Sequence, residues 1–290
     1  MKRVTVFSPA KINLTLHITG TQGGFHMLDS LVCTADICDE VTVSPRTDCN
    51  FTAKMHGFGS EDIPPESNNA VRAAKLFSSR FLTRGADITV EKRIPLGAGL
   101  GGSSADAAGV LNALAALYGV RDDKALEEIA DEVGSDTRYM LSGGWARLTE
   151  RGNAVEKLKS ELKLYFIILA PQGGVSAAEC YRLYDKLEKE YTPKDGDSAV
   201  NAAVRGDFKM LSQNIFNALY APAKQLYADS GLAVEEARAL SAMAGMTGSG
   251  SAAFAAFESR AQCLEAYKNY NGKFSAYTAE TCVPRIVYGE

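Results

Sequence analysis

The sequence predicts an α+β protein folded as two packed units, and three observations carry that prediction. The chain has 290 residues, about twice the roughly 100–150 of a single domain. Hydrophobic residues make up 46% and charged residues 23%, the balance of a globular chain rather than of disorder, a collagen-like repeat or a coiled coil. Strand-like and helix-like segments are mixed in both halves, without the regular strand-helix-strand alternation of a doubly wound sheet.

Val4 and Val6, then Ile12, Leu14, Leu16 and Ile18, alternate with polar or small residues and predict a strand pair punctuated by Gly20, Gly23 and Gly24. Residues 28–43 continue as strand, and an irregular stretch containing glycine and proline follows. Asn68 then offers an N-cap to a helix carrying Val71, Ala74, Leu76 and Phe81. Residues 87–94 alternate as a strand that Pro95 ends. A glycine-rich turn fills residues 97–102, and a helix runs from Ser103 to a stop near Gly119. A second helix over residues 123–132 stops at Gly134, and Ser135 can cap a short helix that ends at Gly143 and Gly144. Strands at 145–149 and 155–158 flank the turn at Arg151, Gly152 and Asn153. The main division is placed here, giving units of 1–157 and 158–290. The second unit opens on an apolar strand at 164–170 and continues with helices at 177–191, 207–219 and 231–244. A strand at 251–257, a helix at 260–269 and two short strands within 274–288 complete it.

Charge and special residues narrow the class. The net charge is −4, from 31 Lys+Arg against 35 Asp+Glu, so no overall basic field exists to capture nucleic acid or an anionic membrane. Pro9 and Lys11 interrupt any signal-peptide core, and no apolar run approaches the roughly 18–20 residues of a membrane span. The six cysteines (33, 38, 49, 180, 263 and 282) include no C-x-x-C, and His17, His26 and His56 lie far apart, which argues against disulfide and zinc frameworks. A cytoplasmic protein with reduced thiols is expected, as a monomer or homodimer, with neither nucleic acid nor membrane as partner.

The 26 glycines exceed average use by roughly six, and ten of them gather at three turns, within 20–24, 97–102 and 245–250, the densest being Gly97-Ala98-Gly99-Leu100-Gly101-Gly102. Successive amides in such a turn, joined to a helix N-terminus, make a concavity suited to phosphate oxygens. Three readings are open. Gly97, Gly99 and Gly102 fit the G-x-G-x-x-G of a dinucleotide site, with Asp122 about 20 residues on. Against that, residues 90–94 are half polar and Pro95 follows, whereas the central strand of a dinucleotide fold is apolar on both faces. The turn can also serve tight packing alone. Finally it can hold a nucleoside triphosphate, though not as a Walker loop, since no Lys-Ser/Thr follows the last glycine.

The segment from Pro95 to Ala108 resembles the phosphate-binding motif of the GHMP small-molecule kinases. Ser8-Pro9-Ala10-Lys11-Ile12-Asn13-Leu14 resembles that family's N-terminal motif, and residues 246–257 resemble its third, a glycine turn beside the active site. The motifs occur in the family's order and, with intervening similarities, span most of the chain. The resemblance implies the two-domain GHMP kinase fold, a ribosomal protein S5 domain 2-like N-terminal domain followed by a ferredoxin-like C-terminal domain. Pro9-Ala10-Lys11-Ile12-Asn13, Gly24-Phe25-His26, Gly134-Ser135-Asp136 and residues 174–181 are similar to one branch, which serves the non-mevalonate isoprenoid pathway. That branch uses ATP to phosphorylate a tertiary alcohol on a cytidine-diphosphate-linked polyol. Three departures stand out. Gly23 replaces the branch's Asp, Thr137-Arg138-Tyr139 replaces a Pro-Phe pair, and Asn214-Ile215-Phe216-Asn217 replaces Asn-Asp-hydrophobic-Glu.

The resemblance also implies roles. Phosphoryl transfer asks mainly for positioning and charge neutralisation. Asp136 would take the acceptor hydroxyl's proton, with Lys11 assisting. Ser135 as N-cap would put Asp136 in the first helical turn, where the helix dipole favours negative charge. On the residues alone, an ordinary first-turn acid and a solvated strand lysine are equally ordinary readings. Pro95, Gly97, Gly99, Leu100, Gly101, Gly102, Ser103 and Ser104 would hold ATP phosphates, although the serines are also good helix caps. Asn68 and Lys92 match positions near the adenine, or serve as a cap and a surface lysine. Mg²⁺ is expected with the nucleotide, and the sequence fixes no protein ligand for it. On the acceptor side, Phe25 and Tyr181 would sandwich the cytosine, His26 would hydrogen-bond it and Asn13 would hold polyol hydroxyls. Thr247, Gly248, Ser249 and Gly250 would offer amides to its phosphates. Tyr181 has a core-residue reading, and the 247–250 turn a purely structural one. A GHMP kinase for another alcohol, or a nucleotide-binding protein without turnover, are the alternatives; the Lys11 and Asp136 pair argues against the second.

Overall fold

The computed structural model describes residues 3–58, 63–64, 67–187 and 196–289. In chain order the elements are β1 (Arg3–Asn13), β2 (Thr15–Gln22), β3 (Phe25–Pro45), β4 (Phe51–His56), α1 (Asn69–Phe81), β5 (Ala86–Glu91), α2 (Gly102–Tyr118), α3 (Asp123–Val133) and α4 (Thr137–Ser142). They continue with β6 (Ala146–Glu150), β7 (Ala154–Lys157), β8 (Tyr165–Ala170), α5 (Ala177–Tyr184), α6 (Asp197–Arg205), α7 (Phe208–Ser212), β9 (Phe216–Asn217) and α8 (Tyr220–Leu226). α9 (Ala228–Leu240), β10 (Met243–Met246), β11 (Ala253–Phe257), α10 (Arg260–Asn269), β12 (Ser275–Glu280) and β13 (Arg285–Gly289) complete the chain.

The spine is β3, whose 21 residues are long enough to pair antiparallel with β1, β2, β5 and β6. Strands β13, β1, β3, β2 and β9 run across this sheet in that order, with β4 and β5 on one end of β3 and β6 and β7 on the other. A second sheet has the order β10, β11, β8, β12, antiparallel throughout. Its β8 runs Tyr-Phe-Ile-Ile-Leu-Ala and is buried after Tyr165, as a strand covered on both faces reads. α2 carries ten buried residues on all its sides; a helix apolar all round belongs inside a protein.

Most boundaries follow the local chemistry. Asn68 caps α1 by accepting from the Ala70 amide at 2.9 Å, and Gly119 ends α2 in the left-handed conformation at φ 67°. Several expectations need correction. β4 lies in the stretch read as irregular, where parallel pairing with β5 makes the strand. Neither α6 nor α8 was anticipated. The helix expected at 207–219 is broken into α7 and β9, because Asn217 donates its amide to the Met246 and Gly248 carbonyls, both at 2.9 Å, holding the chain extended. The helix expected at 231–244 stops at Leu240, since residues 243–246 pair with β11 instead. The one expected at 177–191 ends at Tyr184, with residues 188–191 outside the described residues. β9 and β13, though late in the chain, join β2 and β1 of the first sheet, so strand pairing runs across the expected 157/158 division.

Candidate active site

β1 delivers Lys11 through a register shift between Pro9 and Ala10, a bulge of the kind that re-aims side chains. The Lys11 amide donates to the Leu100 carbonyl at 2.8 Å, which ties the glycine turn to β1. Across the turn, α4 begins at Thr137, with Asp136 at its N-cap position making no side-chain cap bond. Ser135 is therefore not the cap, and Asp136 sits just ahead of the first helical turn, its carboxylate free for other work. It meets the Lys11 ammonium at 2.9 Å, Lys11 buried and Asp136 with 31% of its side chain exposed. The two expected catalytic groups, 125 residues apart in sequence, are thus one ion pair with its open side toward solvent.

The glycine turn is shaped by what presses on it. Gly97, Gly99 and Gly101 all have positive φ, which costs other residues about 1–2 kcal/mol each. A Cβ on Gly99 would lie 2.4 Å from the Thr247 carbonyl oxygen, and one on Gly248 would lie 2.6 Å from that of Gly99. The second and third motifs therefore pack backbone to backbone, so the packing explanation of the glycines holds alongside the ligand-binding one. Gly101 is the N-cap residue of α2, which places Ser103 and Ser104 in the first turn rather than at the cap. Asn13 fastens the third motif: its side-chain oxygen accepts from the Gly248 amide at 3.1 Å, and its amide group donates to Ser30 at 2.8 Å. Thr247, fully buried, accepts from the Asn13 amide at 3.0 Å. The Gly248 amide is thus engaged by Asn13 rather than free for a phosphate.

A cavity of about 830 Å³ opens above this floor. Lys11, Asn13, Phe25, His26, Asp136 and Tyr181 line it together with Pro95, the turn from Gly97 to Gly102, Ser103, Ser104, Gly248 and Ser249. Thr247, Gly250, Asn68 and Lys92 are not part of its lining. Lys92 is no surface residue: its ammonium is buried between Asp39 and Asp106. At the far end, the Phe25 ring is covered by the Arg151 guanidinium at 4.3 Å. His26 stacks on Tyr181 at 4.8 Å and shares a 2.7 Å hydrogen bond with Asp185. Arg151, Arg182 and Asp185 were missed as cavity residues. Arg151 showed only as part of a turn, and the other two lie one helical turn apart or less from Tyr181, which gave the only local signal.

Two of the departures from the family pattern are structurally self-contained, whereas the third brings Asn217 onto the Met246 and Gly248 carbonyls of the third motif. Gly23 and Gly24 make the β2–β3 turn with φ 58° and 80°. Arg138 turns away from the cavity and bonds Glu127 at 2.6 Å and Asp131 at 2.9 Å on α3. Arg138→Ala should therefore cost at most about 1 kcal/mol of stability, as for a partly exposed ion pair, and leave turnover within about twofold. A denaturant melt and a steady-state assay check both, and a large loss of turnover would return Arg138 to the site.

A glycine turn at a helix N-terminus, with a lysine-carboxylate pair beside it in the lining of one cavity, is the equipment of an ATP-dependent phosphotransferase. The family model described as GHMP kinases N terminal domain matches residues 68–146. The 4-diphosphocytidyl-2-C-methyl-D-erythritol kinase of Bacillus cereus (strain B4264) is 34% identical over 222 residues, 75% of either chain. That of Bacillus cytotoxicus is 33% identical over the same length. A crystal structure of a 4-(cytidine 5'-diphospho)-2C-methyl-D-erythritol kinase superposes with a TM-score of 0.76 at 29% identity, covering 97% of this chain and 98% of its own. Homoserine kinase from Cytophaga hutchinsonii, at 18% identity and a TM-score of 0.71, shares the fold over 98% of this chain and 97% of its own. The chain belongs to the 4-diphosphocytidyl-2-C-methyl-D-erythritol kinase family of the GHMP kinases, with the α+β fold of that class.

Proposed function

We propose that this kinase transfers the γ-phosphoryl group of ATP to the tertiary 2-hydroxyl of 4-diphosphocytidyl-2-C-methyl-D-erythritol, in the non-mevalonate route to isoprenoids. The observation that carries the reading is the 2.9 Å pair of Lys11 and Asp136 beside the glycine turn, in a cavity that ends in aromatic rings. The amides at the start of α2, with the Ser103 and Ser104 hydroxyls, face the triphosphate. Asp136 accepts the hydroxyl proton late, once bonding to phosphorus has made the hydroxyl acidic, so a carboxylate is base enough. Lys11 orients Asp136 and offers positive charge to the transferring group. Asn13 acts chiefly through the third motif, which it holds against the turn.

Phe25 and Tyr181 are the stacking faces for cytosine; the base takes the place of Arg151 or His26 against one of those rings, a sequence-tolerant contact that any aromatic face supplies. Mg²⁺ fits as a companion of the nucleotide: among the described residues no group of three His, Cys, Asp or Glu makes a protein cage for it. Such an ion is held mainly by phosphate oxygens and water, and offsets their charge. Residues 1–157 supply the nucleotide side and residues 158–290 part of the acceptor side. A cytoplasmic setting agrees with six cysteines that are all free. Among the described residues no helix is long and apolar enough to cross a membrane.

ADP release measured across several alcohols tests the proposal. Turnover restricted to the cytidylyl polyol is the expected result. Turnover on another alcohol would assign a different acceptor, and ATP binding without turnover on any would remove the kinase step.

A further inference from the structure

We propose that Lys92, Asp39 and Asp106 form a buried positioning cluster that holds the phosphate-binding turn in shape and sets the charge directly behind it. The proposal rests on the reading of that turn as the ATP site and goes beyond it, since Lys92 then acts through the turn and not on the nucleotide. The three residues come from three places that only the tertiary fold unites: Asp39 from β3, Lys92 from the segment leaving β5, and Asp106 from α2. Their side chains are almost wholly buried, with exposures of 0%, 1% and 5% respectively.

Each contact bears on the turn. Asp39 Oδ1 accepts the amides of Arg93 at 2.6 Å and Ile94 at 2.8 Å, fixing the backbone just before Pro95, where the turn begins. The Lys92 ammonium donates to Asp39 Oδ2 and, at 2.6 Å, to Asp106 Oδ2, so the entry to the turn is tied to the helix that leaves it. That ammonium also lies 3.3 Å from where a Cβ on Gly102 would sit, directly behind the first residue of α2. Both ends of the anion-binding turn are therefore held by one lysine.

The cluster's charge does not balance by itself, with two carboxyl groups facing one ammonium. Asp106 Oδ1 is buried with no hydrogen-bond partner, the mark of a carboxyl group that is not fully accommodated as an anion. Burial pushes the Asp106 carboxyl up to about 8; Lys92 pulls it back and Asp39 adds to the rise. Other charged groups on elements packed against α2 are paired elsewhere or exposed: Glu40 on β3 pairs with Arg93, and Asp36 on β3 and Asp123, Lys124, Glu128 and Glu132 on α3 are exposed. Lys11 on β1 pairs with Asp136, and Arg138 on α4 pairs with Glu127 and Asp131 on α3. Arg72, Lys75 and Arg80 of α1 are exposed. Near neutral pH a proton on Asp106 leaves the cluster without net charge. Above about pH 8 that proton leaves, and an uncompensated negative charge then faces the triphosphate from inside the helix. The sign is fixed: ATP binding weakens as pH rises.

Calorimetric titration of the whole protein with MgATP, over a series from about pH 7 to about pH 9.5, tests this together with KM and kcat. For the unaltered protein the dissociation constant and the KM for ATP should rise roughly 5- to 20-fold across the series, as one added charge in a medium of intermediate dielectric predicts, with kcat changing less. Asp106→Asn should abolish the rise, because its side chain never ionises. Asp39→Asn has one acceptor oxygen where the carboxylate uses two, so it cannot serve both Lys92 and the Arg93 and Ile94 amides, and it should raise the KM for ATP throughout the series. A flat profile in the unaltered protein would overturn the proposal even if neither variant folds, and so would an unchanged rise in Asp106→Asn. Failure to bind MgATP at any pH would instead overturn the reading of the turn as an ATP site, and this inference with it.

Discussion

Replacing Asp136 by alanine lowers kcat by about 10²- to 10⁴-fold, the range of a lost general base, while the protein stays folded and continues to bind ATP. The separation of effects follows from the geometry. The Asp136 side chain makes no capping bond to α4 and remains partly exposed, so its removal breaks no backbone anchor. What it leaves behind is Lys11, buried to 7% side-chain exposure without its ion-pair partner. Stability should therefore fall by an amount of the order of a broken, partly buried pair, about 1–3 kcal/mol, well short of unfolding. The turn amides that face ATP are untouched, so the KM for ATP should change far less than kcat, the pattern of an interaction made in the transition state. Asp136→Asn keeps the shape and a bond to Lys11 while removing the base, and should lose nearly as much turnover with less loss of stability. Steady-state kinetics, calorimetric ATP titration and a thermal melt on both variants distinguish these outcomes. Near-normal turnover in either would take Asp136 out of the proton transfer.

Which parts of this arrangement could be read from the sequence depends on how local their cause is. The glycine turn, its helix and the caps at Asn68 and Gly119 are set by neighbouring residues, so residue type and spacing reveal them. Lys11 and Asp136 were legible only because each sits in a recognisable motif; nothing local says that residues 125 apart form one pair. The Lys92 cluster had no such signal. A lysine in an alternating, half-polar strand reads as exposed, and only the pairing of β5 with β3 and the seating of α2 bury it between two carboxyls. β10 shows the same limit in the backbone. Met243 to Met246 continues a helix-compatible apolar run, and its strand conformation is decided by β11, ten residues further on. Asn13 was recognised as a site residue, but its contacts lie across the fold on Gly248 and Ser30. Sequence singled it out, and the structure puts it in the lining of the cavity, but residue type and spacing could not show that its amide is already engaged.

Gly99→Ala should damage the protein well beyond the strain of its left-handed backbone, and Gly119→Ala is its control. Both glycines have positive φ, 78° and 67°, so both variants carry the left-handed strain of about 1–2 kcal/mol. They differ in what the new methyl meets. At Gly119, in the C-cap of α2, nothing lies within 4 Å, and the strain should be the whole effect. At Gly99 the methyl would lie 2.4 Å from the Thr247 carbonyl oxygen and 3.0 Å from that of Gly250. Those are backbone atoms, so no side-chain rotation relieves the clash, and the second and third motifs must move apart. Overpacking of this kind adds about 1–3 kcal/mol, for a total of about 2–5 kcal/mol against about 1–2 kcal/mol for the control. Function should separate them further. The displaced turn carries the amides proposed for ATP, and a shift approaching 1 Å at a site that works by positioning costs about 100-fold. Gly119→Ala should keep the turnover of the unaltered protein. Urea melts give the stability difference and steady-state kinetics the rest. If the two variants match in both stability and kcat/KM, the close backbone packing of the two motifs does not govern the turn.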